Sequence, residues 1–278
     1  MLKVYISADM EGITGLVDAE DVQPGGRDYE RGRLMMTEDV NAAIRGAYAA
    51  GAESVLVNDA HGPMRNILPD ALDHRALLIK GRPKPMGMIE GLTREYDAAL
   101  CVGFHARAGV LGVLSHSFMG HEIEDIWLDD RLTGEIGLFQ ATATALGVPV
   151  ALLTGDDAAC DEAVAWDPFI ATVPVKHAKD RFAAQLVPGF EARAAIESTT
   201  EDALAAVAPL AAADPAEDHH LAVRWQSASV PAHLIAIPGV TKRDDRTVEL
   251  TGPMPTLYRI FNLYLRVATA VTTNPPYC

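Results

Sequence analysis

The sequence predicts an α/β fold with a mainly parallel sheet core flanked by helices and a smaller C-terminal α+β lobe. Three observations carry that expectation. Apolar strand-like runs alternate with helical segments through roughly the first 155 residues, the pattern of a parallel sheet covered on both faces. The strand-like runs end in polar or Gly-containing turns. The remaining residues lose this alternation and offer isolated strands and two long helices. The core is expected over about residues 1–160 and the lobe over about 161–278.

The elements follow in order. Residues 3–8 form a first strand that runs straight into Asp9-Met10-Glu11-Gly12. A polar loop with Pro24-Gly25-Gly26 leads to a helix over 29–50, in which Leu34, Val40, Ile44 and Ala47 recur at helical spacing and which Gly51 stops. Residues 53–57 form a second strand, ending in Asn58-Asp59-Ala60-His61-Gly62-Pro63. Residues 76–80 make a short strand, 86–91 are too few to define an element, and 97–104 make a strand ending in His105. The Gly- and Ser-rich stretch 109–120 carries Ser115-His116-Ser117, a loop able to lie over a site. A strand at 123–128, a turn at 129–134 and a helix at 135–146 follow, with Gly147 ending the helix. Residues 148–153 are a buried strand that stops at Thr154-Gly155-Asp156-Asp157, where both aspartates read as helix N-caps. In the lobe, the Ala-rich 190–213 is a helix packing through Ile196, Leu204 and Val207. Strands at 221–227 and 247–251 precede a helix at 254–272, with Leu257, Ile260, Leu263 and Leu265 available to pack.

Composition narrows the function. The 278 residues are 49% hydrophobic and only 6% aromatic, so the core is mostly Ala, Val, Leu and Ile. A net charge of −15 argues against nucleic acid, whose phosphates reward a basic surface, and against an anionic membrane surface. No apolar run approaches the roughly 20 residues of a membrane span. Cys101, Cys160 and Cys278 are odd in number and widely spaced, which gives no disulfide framework and suits a reducing cytoplasm. The first strand begins almost at residue 1, with no basic stretch and apolar run before it, so no signal peptide is expected.

The chemistry concentrates at strand ends. Asp9 and Glu11 close the first strand, His61 follows the second and His105 the strand at 97–104. His116 and His121 lie in or beside the loop, and Glu135 opens a helix. Residues i and i+2 of a strand share a side, so Asp9 and Glu11 converge, and two carboxylates so placed favour a bound cation over mutual repulsion. Imidazole and carboxylate together suit Zn²⁺, or less selectively Mn²⁺ or Co²⁺, and a carboxylate can bridge a metal pair of the hydrolytic kind. Taken singly, each residue has a plainer reading: a polar loop or cap for Asp9 and Glu11, a turn for His61, a core hydrogen bond for His105, an exposed loop for His116 and a helix-dipole partner for Glu135. The coincidence of several ligand types at successive strand ends favours the metal site.

These residues also form a known pattern. Ser7-Ala8-Asp9-Met10-Glu11-Gly12, Asn58-Asp59-Ala60-His61-Gly62, Gly103-Phe104-His105-Ala106, Leu114-Ser115-His116-Ser117 and Gly134-Glu135-Ile136-Gly137, followed by Ile237-Pro238-Gly239-Val240 and Arg246-Thr247-Val248, resemble in order the blocks of the zinc-dependent D-aminopeptidases of the DppA type. The resemblance covers essentially the whole chain, as one family unit over 1–278. It implies two Zn²⁺ per subunit, with Asp9 bridging, Glu11 and His105 on one ion, His61 and Glu135 on the other, and His116 as the catalytic residue, described as a nucleophile. It also implies a short peptide or amino-acid amide substrate with an N-terminal D-residue such as D-Ala, and a ring-like homo-oligomer, a homodecamer. His116 can serve as a nucleophile or as a general base or acid. Two other functions remain open at this point: a dinuclear hydrolase of a different amide or of phosphate esters, and a non-catalytic peptide-binding or transport-associated protein.

Overall fold

The computed structural model describes residues 2–210, 214 and 216–272. Alternation along β1 (Leu2–Ala8) sets the layers: Val4, Ile6 and Ala8 enter one core and Tyr5 the other. The chain then runs α1 (Ala19–Val22), α2 (Tyr29–Ala49), β2 (Ala52–Asp59), β3 (Ala76–Ile79), a 3₁₀ turn at Gly87–Ile89, β4 (Ala98–Phe104), β5 (Ile123–Leu128), β6 (Arg131–Thr133) and α3 (Glu135–Ala145). It continues through β7 (Val150–Asp156), α4 (Asp157–Trp166), β8 (Ala171–Asp180), β9 (Ala183–Leu186), α5 (Gly189–Ala206), β10 (Asp218–Trp225), α6 (Ser229–Leu234), β11 (Thr241–Asp244), β12 (Thr247–Pro253) and α7 (Met254–Thr272).

Seven strands form one sheet in the order β3-β2-β1-β4-β7-β8-β9. All neighbours are parallel except β9, which runs antiparallel to β8. The fold is therefore α/β with a mainly parallel sheet. Winding proceeds from β1 through β2 to β3 on one side, then restarts at β4 on the other. The gap between β1 and β4 is a topological switch point, where ligands of open α/β sheets bind. One face of the sheet packs on α2 and α5 through Met36, Val40, Ile44 and Ile196. The other packs on α3, on α7 and on a second, antiparallel sheet of order β11-β12-β10-β5-β6.

The two sheets are not divided at residue 160. β5 and β6 leave the first half of the chain to join the second sheet, and β8 and β9 return to the first. Sequence periodicity detects strands but not the partners they pair with. Residues 129–134 are a hairpin rather than a simple turn: Asp129 and Asp130 take φ of 51° and 61°, the left-handed pair that matches the twist of flanking strands. The helix at 190–213 ends at Ala206, its last expected residues 211–213 lying outside the described ones. Leu34 and Leu263 are exposed instead of packed, and Tyr258, Phe261 and Tyr264 carry the buried face of α7. Asp156 caps α4 through a 2.8 Å bond from the Ala159 N–H. Asp157 is instead the first helical residue, and its carboxylate accepts from the N–H of Ala178 in β8. Cys101 is a buried core residue of β4, and burial holds its thiol pKa well above the usual value.

Candidate metal centre

Backbone geometry at the switch point brings the ligand-bearing residues together. The Asp9 N–H donates to Val102 O at 2.8 Å, and the Gly12 N–H donates to Gly103 O at 2.8 Å. The ends of β1 and β4 are thereby strapped side by side. A Cβ on Gly12 would collide with the Phe104 carbonyl, and one on Gly103 with the Asp9 carbonyl. Glycine is required at both positions by this close approach, and Gly103 also adopts φ +74°.

Beyond β1, the loop carrying Glu11 is anchored from below by Lys176 of β8. Its fully buried ammonium donates to the carbonyls of Glu11 (2.5 Å), Ile13 (2.9 Å) and Leu16 (2.6 Å). No motif marks this lysine; the one sequence signal is a lone lysine at a strand position among apolar neighbours. Asp59, at the end of β2, is a second unread support. It accepts from the backbone N–H groups of Asn66 (2.6 Å) and Ile67 (2.8 Å) and fixes the turn beyond His61.

Asp9 is the hub. His61 Nδ1 lies 3.1 Å from Asp9 Oδ1 and 3.0 Å from Glu11 Oε2. His105 Nε2 lies 3.4 Å from Asp9 Oδ2 and 3.3 Å from Glu135 Oε2. Two overlapping groups result, Asp9–Glu11–His61 and Asp9–His105–Glu135, each with its candidate ligand atoms within 4.8 Å of one another. The resemblance implied another grouping, Glu11 with His105 and His61 with Glu135. In the structure Glu11 lies beside His61 and Glu135 beside His105, with β2 and β4 flanking β1 on opposite sides. A third group, Glu11–His105–His116, overlaps both. His121 is exposed and stands apart from all three among the described residues.

Each histidine is oriented by a backbone carbonyl, which also selects its tautomer. His61 Nε2–H donates to Val22 O at 2.9 Å, leaving Nδ1 toward the carboxylates. His105 Nδ1–H donates to Ala106 O at 3.0 Å, leaving Nε2 inward. His116 Nδ1–H donates to Leu114 O at 2.8 Å, which leaves Nε2 bare and 4.0 Å from Glu135 Oε1. The His105 and His116 rings stack with centroids 4.2 Å apart. Glu135 opens α3, where the helix dipole favours its charge, and its Oε1 accepts from the Phe118 N–H at 2.6 Å.

Carboxylates and imidazoles perturb one another strongly at this site. Burial and repulsion from Glu11 push the Asp9 carboxyl up to about 7. Burial opposes ionisation of Glu11 and Glu135, yet His61 and His105 outweigh it and hold both below the usual carboxylate range. Burial works against protonation of His61 and His105 as well, and the neighbouring carboxylates reverse it, raising both well above the usual imidazole value. His116 goes the other way: burial and the adjacent His105 lower it. Asp9 Oδ2 and His105 Nε2 are buried and make no hydrogen bond among the described residues. Three carboxylates, two inward imidazole nitrogens and no thiolate fit divalent cations of the zinc type.

The centre opens into a cavity of about 580 Å³, whose walls include Asp9, Glu11, His61, His116 and Glu135. A family model of D-aminopeptidases, peptidase family M55, matches residues 2–263. The chain belongs to the D-aminopeptidase family. A D-aminopeptidase of Bacillus subtilis (strain 168) is 43% identical over 199 residues, 71% of this chain and 72% of its own length. The solved structure of the Zn-dependent D-aminopeptidase DppA from Bacillus subtilis, described as a self-compartmentalizing protease, matches with TM-score 0.90 at 34% identity and covers 100% of both chains. This family member is accordingly a metal-dependent hydrolase.

Proposed function

We propose that the protein is a dinuclear zinc aminopeptidase that hydrolyses the N-terminal amide bond of short peptides or amides, with a D-residue such as D-Ala at the N-terminus. The observation that carries this reading is Asp9, whose two carboxylate oxygens face two different histidines and so belong to two triads at once. Asp9, Glu11 and His61 would hold one Zn²⁺, and Asp9, His105 and Glu135 the other. When bound, such a pair supplies Lewis-acid polarisation of the scissile carbonyl and charge neutralisation as the bond is attacked.

The chain's own residues supply the rest. His116 is a proton carrier in this reading. Its Nε2 has a free lone pair, its ring is fixed by the Leu114 carbonyl and by stacking on His105, and it faces the cavity. It takes a proton from the attacking water and returns it to the departing amine. Trapping with a slow ester substrate separates this role from nucleophilic catalysis: an acyl adduct that His116→Ala abolishes would assign His116 as the nucleophile.

Metal quantification on purified protein tests the centre, with two zinc ions per chain expected. Comparing D-Ala-D-Ala with L-Ala-L-Ala tests the stereochemistry, and equal rates or an L preference would sink it. We extend the proposal to a homo-oligomer, a homodecamer in line with the self-compartmentalizing relative. Phe169, Phe190 and Leu77 are 93%, 86% and 70% exposed and give apolar surface for such contacts. Light scattering at ten times the 29.8 kDa chain mass is the expected result. A cytoplasmic location completes the reading; no helix among the described residues is long and apolar enough to cross a membrane.

A further inference from the structure

The cavity at the candidate metal centre is lined by cations as well as by candidate metal ligands. Asp9, Glu11 and Glu135 line it, and so do Arg82, Lys84 and Arg266. Arg82 follows β3, and its Nη1 approaches Gly62 O at 3.4 Å. Arg266 projects from α7, where one Nη2 bond to Lys84 O at 2.8 Å steadies it. Lys84 is buried and donates to Asn58 Oδ1 and Asp59 O, both at 2.6 Å. Neither guanidinium has a carboxylate partner within 4 Å among the described residues, although the chain as a whole carries a net charge of −15. In so acidic a protein, two unpaired arginines and a buried lysine around one cavity call for an anionic ligand group.

The wall that carries these cations is built firmly. The Tyr5 hydroxyl lies within bonding distance of Met88 O and Glu90 O and donates its one proton to either, Ser7 Oγ donates to Met88 O, and Asn58 Nδ2 donates to Gly87 O and Met88 O. These bonds from β1 and β2 pin the segment just after Lys84, and Gly87 and Met88 themselves line the cavity.

We infer that Arg266 and Arg82, with Lys84 behind them, bind the free C-terminal carboxylate of a short peptide substrate. The inference rests on the aminopeptidase reading and names the substrate class within it. A planar guanidinium matches a carboxylate in a two-pronged bond. A clamp on the free C-terminus selects peptides with an open carboxylate over C-terminally blocked ones.

The test is equilibrium binding by calorimetry, using D-Ala-D-Ala and its C-terminal carboxamide on zinc-loaded protein. The His116→Ala background suppresses turnover. With Arg266 present, the acid is expected to bind about tenfold or more tightly than the amide. In His116→Ala/Arg266→Met this ratio falls toward one, and Arg266→Lys restores part of it. Arg266 is exposed on α7 and methionine is a good helix former, so the variant folds. Arg82→Gln gives an independent second variant with the same expected direction. Equal binding of acid and amide with Arg266 present, a preference that survives both variants, or binding of neither peptide overturns the clamp. Turnover by the wild-type enzyme separates the two readings. Hydrolysis of acid and amide at equal kcat/KM leaves the aminopeptidase reading standing and removes the clamp; hydrolysis of neither removes the aminopeptidase reading itself.

Discussion

The two halves of the candidate metal centre are built differently, although Asp9 belongs to both groups. The Glu11–His61 half comes from adjacent strands β1 and β2, lies within the first 61 residues and fronts the cavity. The His105–Glu135 half joins two sheets: His105 follows β4, whereas Glu135 reaches the site only because the β5–β6 hairpin delivers the start of α3. The His105 side chain is 1% exposed against 10% for His61. One half is a local product of the parallel sheet; the other depends on sheet-on-sheet packing, and its histidine is the more deeply buried of the two. Shared chemistry therefore does not imply shared mechanical origin.

The largest effect is expected where the halves meet. Asp9→Asn should lower zinc to below one ion per chain and cut kcat/KM by roughly a thousandfold or more, since loss of mere supporting residues around a metal already costs 10–100-fold. Mass-spectrometric metal counting and steady-state kinetics check it; two ions retained in this variant would show that Asp9 is not shared. Next come His61→Ala and His105→Ala. Each should leave about one zinc, but in the presence of chelator His105→Ala should unfold with about 2–4 kcal/mol less stability, as buried large-to-small changes do, and His61→Ala with less loss. Equal losses in denaturant titrations would erase the distinction between the halves.

Lys176→Met should act on one half only. It removes the anchor of the Glu11 loop and should weaken one zinc about 10–100-fold in chelator competition, leaving the other nearly unchanged. The smallest effect concerns Lys84. Burial lowers its ammonium from 10.5 to about 8, so between pH 8 and 10.5 the unfolded chain binds more protons than the folded one. Stability contributed by this group therefore rises with pH through that window, by about 1–3 kcal/mol. The neutral amine still has two N–H groups for its two acceptors, Asn58 Oδ1 and Asp59 O. In Lys84→Met that slope should vanish in urea titrations run from pH 8 to 10.5.

The first half was far easier to read from sequence than the second. Asp9, His61 and His105 are polar residues at or just past the ends of apolar runs, and strand ends converge wherever strands are parallel neighbours. Glu135 was visible as a helix start and as part of a family pattern, but its arrival at the site depends on a hairpin pairing with β10, far along the chain. Which histidine lies beside which carboxylate is hidden for the same reason: residue spacing names the strands, while the order β2-β1-β4 decides their neighbours. Lys176, Arg82 and Arg266 escaped notice because each is a single charge in a plain context, given meaning only by what packs beside it.

Gly12 and Gly103 have a further consequence. They let β1 and β4 meet main chain to main chain, so the floor beneath the hub is made of peptide groups with nothing compressible between them. Such a floor holds the end of β1, with Asp9, against the end of β4, with His105, by main-chain bonds rather than by side-chain packing. Moving the backbone of one relative to the other would require a new chain path, not a substitution above the floor.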